Sequence, residues 1–541
     1  MKIQRKIGQD MKNRKKLNSD RAITLVALVV TIVVLLILAG VSIQMLAGED
    51  GIIRQAKNAK DKTNEANAKE RIEVEVIGSY GATGGLEIDL LNKNLKTIDG
   101  LKYKGADFSD TNKITSLPAT VELDGVKVVI NGDGSAETIS PIEKGKTYPK
   151  DTTVTIGDDT VAIPGGTTVS GITGEYEKIE DGIVIYIMKD ADGDGIIDTP
   201  DWSNPTMMQE TYDQFVWVPV KNAVLDLSSN STALSSEASI KSAVQEKINV
   251  GIYPMAIKKD ATNYFGVLYQ FSLDSATNTV KVEPYSSWTP LCESSTNYRE
   301  PSAVTSYDKS SYLLQVNGIL NTSYSDSTSF EDALQTEFNT MVNKVASNGG
   351  FWVGRYETSG MSNTTTTTYT SSNEVKVNVV KGATNSSDNT SNISKVTWYR
   401  MYAQQKIYSK LALGSSTTAT SSMIWGSQWD QIMIWMKEVK NTNKNSYYVI
   451  NSLTMGNFGT SDDSYSDTSN PAATGFFDVK NIYDLAGNVF DWTLEADTTY
   501  YRVLRGGYYY DTSTSYTRAD NRRIIHPYTS NTYYGSRSTL Y

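Results

Sequence analysis

The stretch GNVFDWT (487–493), the run RVLRGGYYY (502–510) and the closing GSRSTLY (535–541) decide how this chain folds. Each sets aromatic and branched apolar residues among glycines and polar side chains in short runs, the pattern of strands joined by tight turns. Working outward, FVWVPV (215–220), GGFWVGRYETSG (349–360) and WYRMYAQ (398–404) read as further strands or loops. Within MIWGSQWDQIMIWM (423–436) the spacing turns helical, and Gln428 to Lys437 places Trp429, Ile432, Met433 and Met436 on one face. Upstream, GVKVVING, TTVTIG and DGIVIYIM alternate with period two between Gly-, Asp- and Pro-bearing turns. The expectation is an α+β protein with a small β-rich unit over 74–187 and a larger domain over 188–541.

Residues 505–541 use a restricted alphabet. They hold eight Tyr with Asp, Asn, Ser, Thr, Arg, Ile and the only His, and no Lys, Glu, Gln, Met, Trp, Cys, Phe or Val. Random change at the first two bases of AAC codons yields Tyr, His, Asn, Asp, Ser, Thr, Ile, Arg and Gly, and never Lys, Gln, Glu, Met or Trp. Tyr combines a large contact area with few rotors and a hydroxyl, while Ser, Asn and Asp supply adaptable hydrogen bonds, a mixture that dominates antibody paratopes. The plain alternative is a Tyr-rich edge strand with a solvated loop.

Taken in order, the blocks resemble the formylglycine-generating enzyme (sulfatase-modifying factor) family, a variant of the C-type lectin fold. The resemblance is carried by Phe351-Trp352-Val353-Gly354-Arg355-Tyr356-Glu357, by Asn488-Val489-Phe490-Asp491-Trp492 against the family's Asn-Val-Trp-Glu-Trp, by Arg505-Gly506-Gly507, by Arg518, Ala519 and Arg522, and by Gly535-Ser536-Arg537. It implies a structural calcium held through Asn488 and Asp491, for which a plain turn is the alternative. The family's chemistry is not implied. Its oxidases use a copper-binding cysteine pair and its ergothioneine-forming relatives hold iron with three histidines, whereas this chain has Cys292 and His526 alone. The same counts exclude an intramolecular disulfide, a zinc site built on several histidines and any redox cysteine pair.

The end of such a domain, written in this alphabet, resembles the variable proteins of diversity-generating retroelements. By that resemblance Arg505, Gly506, Gly507, Arg518, Ala519, Arg522, Pro527, Gly535 and Arg537 are scaffold. The diversified, ligand-binding positions are drawn from Tyr508, Tyr510, Asp511, Tyr516, Asp520, Asn521, Arg523, Ile524, His526, Tyr528, Ser530, Asn531, Tyr533 and Tyr534. No catalytic residue is expected.

The acidic string DADGDGIID offers a second candidate metal site. Asp190, Asp192, Asp194 and Asp198, with Asp201 beyond, set hard oxygen ligands around Gly195, as calcium requires, and the string resembles one thrombospondin type 3 or dockerin-like loop. A solvated acidic turn is the alternative. Net charge is −10 with a pI near 5.0, which argues against a nucleic-acid partner. The Ser/Thr/Asn tract 361–394 reads as a surface insertion.

At the other end, residues 1–21 carry eight Lys or Arg against two acids, and Ile23 to Ile43 is 21 residues without a charge. At about 1.5 Å per residue that run spans roughly the 30 Å of a hydrocarbon core, and the basic flank orients the N-terminus to the cytoplasm. It continues into a polar helical stretch over 54–73. A basic leader, a small residue and a Thr-Leu-containing apolar helix of this kind resemble type IV prepilins and pseudopilins. The resemblance implies cleavage between Ala22 and Ile23, a 1–22 leader, a 23–73 helix and pilin-like partner subunits. Ala27 stands where that family has the Glu that assists fibre assembly.

The reading these features favour is a single-pass membrane protein with its bulk at the cell surface. It holds a β-rich stalk or pilin-like head (74–187) and a C-type lectin-like domain (188–541) that grips a macromolecular or cell-surface ligand. An active formylglycine-generating-type enzyme and a structural pseudopilin are the alternatives.

Overall fold

The computed structural model describes residues 52–541 apart from 82–83, 158, 231, 275, 278, 287–297, 299, 302–307, 309, 360–376, 382–395, 439–477, 498–499, 509–517 and 532. The leader, the Ala22–Ile23 junction and the apolar run 23–43 lie outside these residues. Among the described residues no helix is long and apolar enough to cross a membrane. The polar insertion 361–394 lies almost wholly outside them.

The chain is α+β and divides into two units, one ending at Ser140 and one spanning Pro141–Tyr541. In the first, helix Ile52–Ile77 sets Ala68, Ile72 and Val76 at four-residue intervals, so one stripe meets the sheet and is fully covered. Helix Ile88–Leu95 adds Leu91 and Leu95 to the same core. The sheet is antiparallel, in the order 106–107, 102–103, 119–123, 126–130, 136–139. Its central hairpin turns at Asp124-Gly125, both with positive φ, the two-residue geometry that twists with its strands.

The second unit is built on a seven-stranded sheet in the order 421–423, 538–540, 350–354, 213–219, 184–187, 167–169, 147–148, every neighbour antiparallel. Val184–Ile187 pairs along its whole length with Asp213–Pro219, so 147–148, 167–169 and 184–187 belong to this sheet, while 152–156 and 159–163 form a separate hairpin. The division therefore falls at Ser140, ahead of the 187/188 junction expected from the sequence. Composition shifts only after Ile187, and hydrogen-bond pairing does not follow composition.

Strand Ser538–Leu540 enters between Ser421–Met423 and Gly350–Gly354, which brings the end of the chain back to an early strand. Trp217 and Trp352 are register partners with ring centroids 5.2 Å apart at the centre of the core. A second sheet, in the order 522–525, 502–505, 490–496, 534–536, carries the C-terminal segment.

Two local readings differ from expectation. WYRMYAQ is not a strand or loop but part of helix Trp398–Lys406, buried from Trp398 through Gln405, with Trp398 and Tyr402 stacked one turn apart at 5.4 Å and 4°. Its aromatic content favours strands by propensity, and the i,i+4 ring pair decides for the helix. Helix Gly426–Glu438 contains the expected apolar face, yet Ile434 and Trp435 on the other side are buried as well. The helix is enclosed, not amphipathic.

Candidate functional site

Beneath the C-terminal segment lies a closed quartet of charges. Arg505 and Arg522 are register partners on adjacent strands, and like charges placed opposite one another repel. Asp430 and Glu495 resolve the conflict. Arg505 reaches Asp430 and, at 3.4 Å, Glu495, while Arg522 donates to Glu495 at 2.8 Å, to Asp430 at 2.6 Å and to the Tyr269 carbonyl at 2.7 Å. Asp430 also accepts the Tyr269 backbone N–H at 2.9 Å. Tyr285 and Tyr298 lie over the Arg522 guanidinium at 5.4 and 5.5 Å. Burial pushes the Glu495 carboxyl up, against the pull of Arg522 and Arg505. Adjacent Glu300 is pushed up to about 8 by burial and by the Glu495 charge, although it accepts the Gly426 and Ser427 backbone N–H groups at the start of a helix.

The other scaffold positions are held as firmly. Arg537 is fully buried and ties Asp491, the Gly354 and Arg355 carbonyls and the Tyr483 carbonyl together. The Ala519 carbonyl accepts the Trp429 indole N–H at 2.9 Å, and the Pro527 carbonyl accepts the Trp398 backbone N–H at 3.1 Å. Gly506 has φ +87°, and a Cβ there would stand 2.9 Å from the Leu485 carbonyl, so both backbone and space demand glycine. Arg518 is the half-covered member and chelates Asp520.

The positions read as diversified fall mostly on the outer side of this frame. Tyr510, Asp511 and Tyr516 lie outside the described residues. Ile524 and Tyr528 are each 37% exposed, and Tyr508, Asn521, Arg523, His526, Ser530, Asn531 and Tyr533 are half-buried. Tyr508 stacks on Tyr533 at 4.7 Å and packs on Phe490 at 5.1 Å, and Arg523 lies over the same Phe490 ring at 5.3 Å. His526 stacks on Tyr528 at 5.2 Å. Asn521 and Asp520 line a hollow of about 290 Å³ with Gln270, Phe271, Tyr285 and Tyr298. Asp520 and Tyr534 are buried: Arg518 holds the first, and the second packs edge-on against Trp492 at 5.6 Å, where burial pushes its hydroxyl up to about 12.

The two candidate calcium sites differ. Asn488 and Asp491 are buried beside Glu357, which accepts from the Asn488 amide and the Val489 backbone N–H. Burial, then the Asp491 and Asp484 charges, hold the Glu357 carboxyl well above its ordinary value, and burial raises Asp491 to about 6 despite Arg537. One Asp491 oxygen is buried without a hydrogen-bond partner. An all-oxygen set carrying more acid than one arginine balances fits a calcium ion. In the exposed loop, oxygens of Asp190, Asp192 and Asp194 lie within 4.8 Å of one another. Asp190 also accepts the backbone N–H groups of Gly193, Asp194 and Gly195, which hold its carboxyl below the usual range. Asp198 instead accepts from Tyr212 at 2.6 Å and from the Ala191 N–H, and Asp201 closes its own turn on Ser203.

Sequence reasoning missed the acids Glu300, Asp430 and Glu495, which lie on three separate segments and meet only in the fold, and Asp308, which pairs with Arg502.

Among solved structures the chain is similar to Treponema denticola variable protein 1, at 18% identity over 27% of this chain and 69% of that one, with a TM-score of 0.20. It is also similar to CarF, at 12% identity over 27% of this chain and 66% of that one, with a TM-score of 0.21. No family model and no curated protein matches. At such TM-scores neither similarity bears weight, and the function rests on the residues themselves.

Proposed function

We propose that this chain is a non-catalytic, membrane-anchored binding protein of the cell surface. Its C-terminal unit is a C-type lectin-like domain that presents a rewritable, tyrosine-rich face to a macromolecular ligand. One observation carries the reading: within residues 505–541 the positions assigned to the scaffold, Arg518 apart, have covered side chains or backbone, whereas of the eleven described positions assigned to variation two are exposed, seven are half-buried and two are buried. A segment can be rewritten without unfolding only where its side chains contribute little to the core.

The apolar run 23–43 supplies the anchor, with the N-terminus in the cytoplasm. Calcium held by Asn488 and Asp491 beside Glu357 would brace the frame under the face, and the Asp190–Asp194 loop would take a second ion. A single cysteine and a single histidine support a non-enzymatic role, and the net charge of −10 supports a partner other than nucleic acid.

The test is retention of the full chain on candidate host or neighbouring cells. Replacing Tyr508, Tyr528 and Tyr533 together by Ala is expected to abolish retention while tryptophan fluorescence stays native. Unchanged retention would place the site elsewhere.

A further inference from the structure

Strands Tyr269–Asp274 and Thr279–Pro284 pair as a hairpin that forms a two-stranded sheet of its own, and the C-terminal segment holds it by side chains where a neighbouring strand would use its backbone. Arg518 donates to the Phe271 carbonyl at 3.2 Å and Arg522 to the Tyr269 carbonyl at 2.7 Å, while the Tyr269 N–H donates at 2.9 Å to Asp430, itself a partner of Arg522. Arg518 and Arg522 are both assigned to the scaffold, so this seam persists whatever is written between them. At the seam lies the hollow of about 290 Å³. Gln270, Phe271, Tyr285 and Tyr298 form its walls outside residues 505–541, and Asp520 and Asn521, two positions assigned to variation, close it from the segment. One wall can change while the others are kept.

The charges that line this hollow are already matched. They are Arg518, Asp520 and Arg522; Asp497 is not part of the lining. Arg518 chelates Asp520, and Arg522 is engaged by Asp430 and Glu495. A charged group entering here would give up its water without meeting an unmatched charge of opposite sign. What remains is a ring-lined slot with two amides. Tyr285 and Tyr298 meet edge to face at 4.7 Å and 80°, Phe271 is buried beside them, and the side chains of Gln270 and Asn521 each carry amide donors and an acceptor. Gln270 donates to Glu283 at 2.7 Å, which fixes its amide. The Arg522 guanidinium lies over both tyrosine rings, yet a further ring can join such a pair through its edge. Drug-sized ligands fill pockets of roughly 300–1,000 Å³, so this volume gives room for one side chain and little more.

We infer that the hollow is an anchor subsite of the binding face, and that it takes a neutral aromatic side chain, Tyr or Trp, projecting from a protein partner. The ring packs against Phe271, Tyr285 and Tyr298, and the hydroxyl or indole N–H meets the amides of Gln270 and Asn521. The inference rests on the binding role proposed above for the same face. Tyr and Trp are the side chains that most often anchor protein interfaces in desolvated pockets. Rewriting positions 520 and 521 changes the polar wall, and with it the tip that is accepted, while the hairpin keeps the ring wall constant.

The probes are immobilised peptides that share one Gly/Ser frame and carry a single central Tyr, Trp, Asn, Lys or Glu, each incubated with the full chain. Retention on the Tyr and Trp peptides is expected to exceed that on the Lys and Glu peptides at least about tenfold. Asn521→Phe and Gln270→Phe fill the hollow from the segment and from the hairpin, and each is expected to remove that preference while the thermal melting transition stays native. A filling variant that misfolds leaves the other to decide. Preference for the Lys or Glu peptides, equal retention on all five, or retention on none would overturn the aromatic anchor, as would an unchanged preference in a folded filling variant. On cells, retention lost when Tyr508, Tyr528 and Tyr533 become Ala but kept in both filling variants would overturn the subsite and leave the binding role standing. Retention indifferent to every variant would remove the face itself.

Discussion

Strands Arg502–Arg505 and Arg522–Ile525 lie side by side, and each carries two arginines in four residues, yet they live under different rules. In the first every side chain is buried and both arginines are ion-paired with buried acids. In the second Arg522 enters the quartet and Ile525 packs against the core, while Arg523 lies over Phe490 and Ile524 is 37% exposed. Under the proposed function the contrast is what an edge strand open to rewriting requires. Its neighbour and one inward arginine hold the register, and the remaining positions are left to recognition.

The sharpest way to break the comparison is Arg505→Ala, which strands Asp430 and Glu495 beside Arg522 and is expected to cost about 3–5 kcal/mol. All nine tryptophans lie beyond residue 200, so guanidinium unfolding followed by tryptophan fluorescence reads the C-terminal unit alone. A loss below about 1 kcal/mol would show that the quartet is not the frame.

The next effect is one of pH. Glu300 is favoured as the neutral acid in the folded chain, with its pKa raised to about 8 from 4.5. Its contribution is therefore complete below about pH 4.5 and is lost as pH rises toward 8. Stability of the C-terminal unit is expected to fall over that interval and to flatten in Glu300→Gln, as followed by thermal melts at stepped pH. An unchanged slope in the variant would assign the pH dependence to other groups.

Within the variable segment, Tyr534→Ala removes a buried ring from Trp492 and Tyr533 and should cost about 3 kcal/mol. Tyr528→Ala, which loses two stacked partners at the surface, should cost about 1 kcal/mol. Ile524→Ser should stay within about 0.5 kcal/mol. Equal costs for Tyr534 and Tyr528 would erase the distinction between frame and face.

Much of the frame was legible in the sequence because its strands are short, aromatic and bounded by glycines, as at Phe351–Gly354, Phe490–Trp492 and Arg502–Gly507. The helix at Trp398 was not, since its ring pair at i,i+4 competes with a strand-like composition. The less covered positions of the segment stood out through their restricted alphabet, which is a property of composition and not of packing. Asp520 and Tyr534 carry the same alphabet and are buried, so composition alone did not separate them from Tyr528. The Tyr312–Tyr399 stack escaped for a further reason. Tyr312 and Tyr399 reach His526 and Tyr528 only through the tertiary fold, and no spacing rule links those positions.

The central claim, that this segment is a fixed frame beneath a replaceable face, is tested most directly by deep sequencing of the codons for residues 505–541 across a population of cells that carry the gene. The account predicts amino-acid differences concentrated at Tyr508, Asn521, Arg523, Ile524, His526, Tyr528, Ser530, Asn531 and Tyr533, with Arg505, Gly506, Ala519, Arg522, Gly535 and Arg537 constant. Differences that are silent, or scattered equally over frame and face, would contradict it.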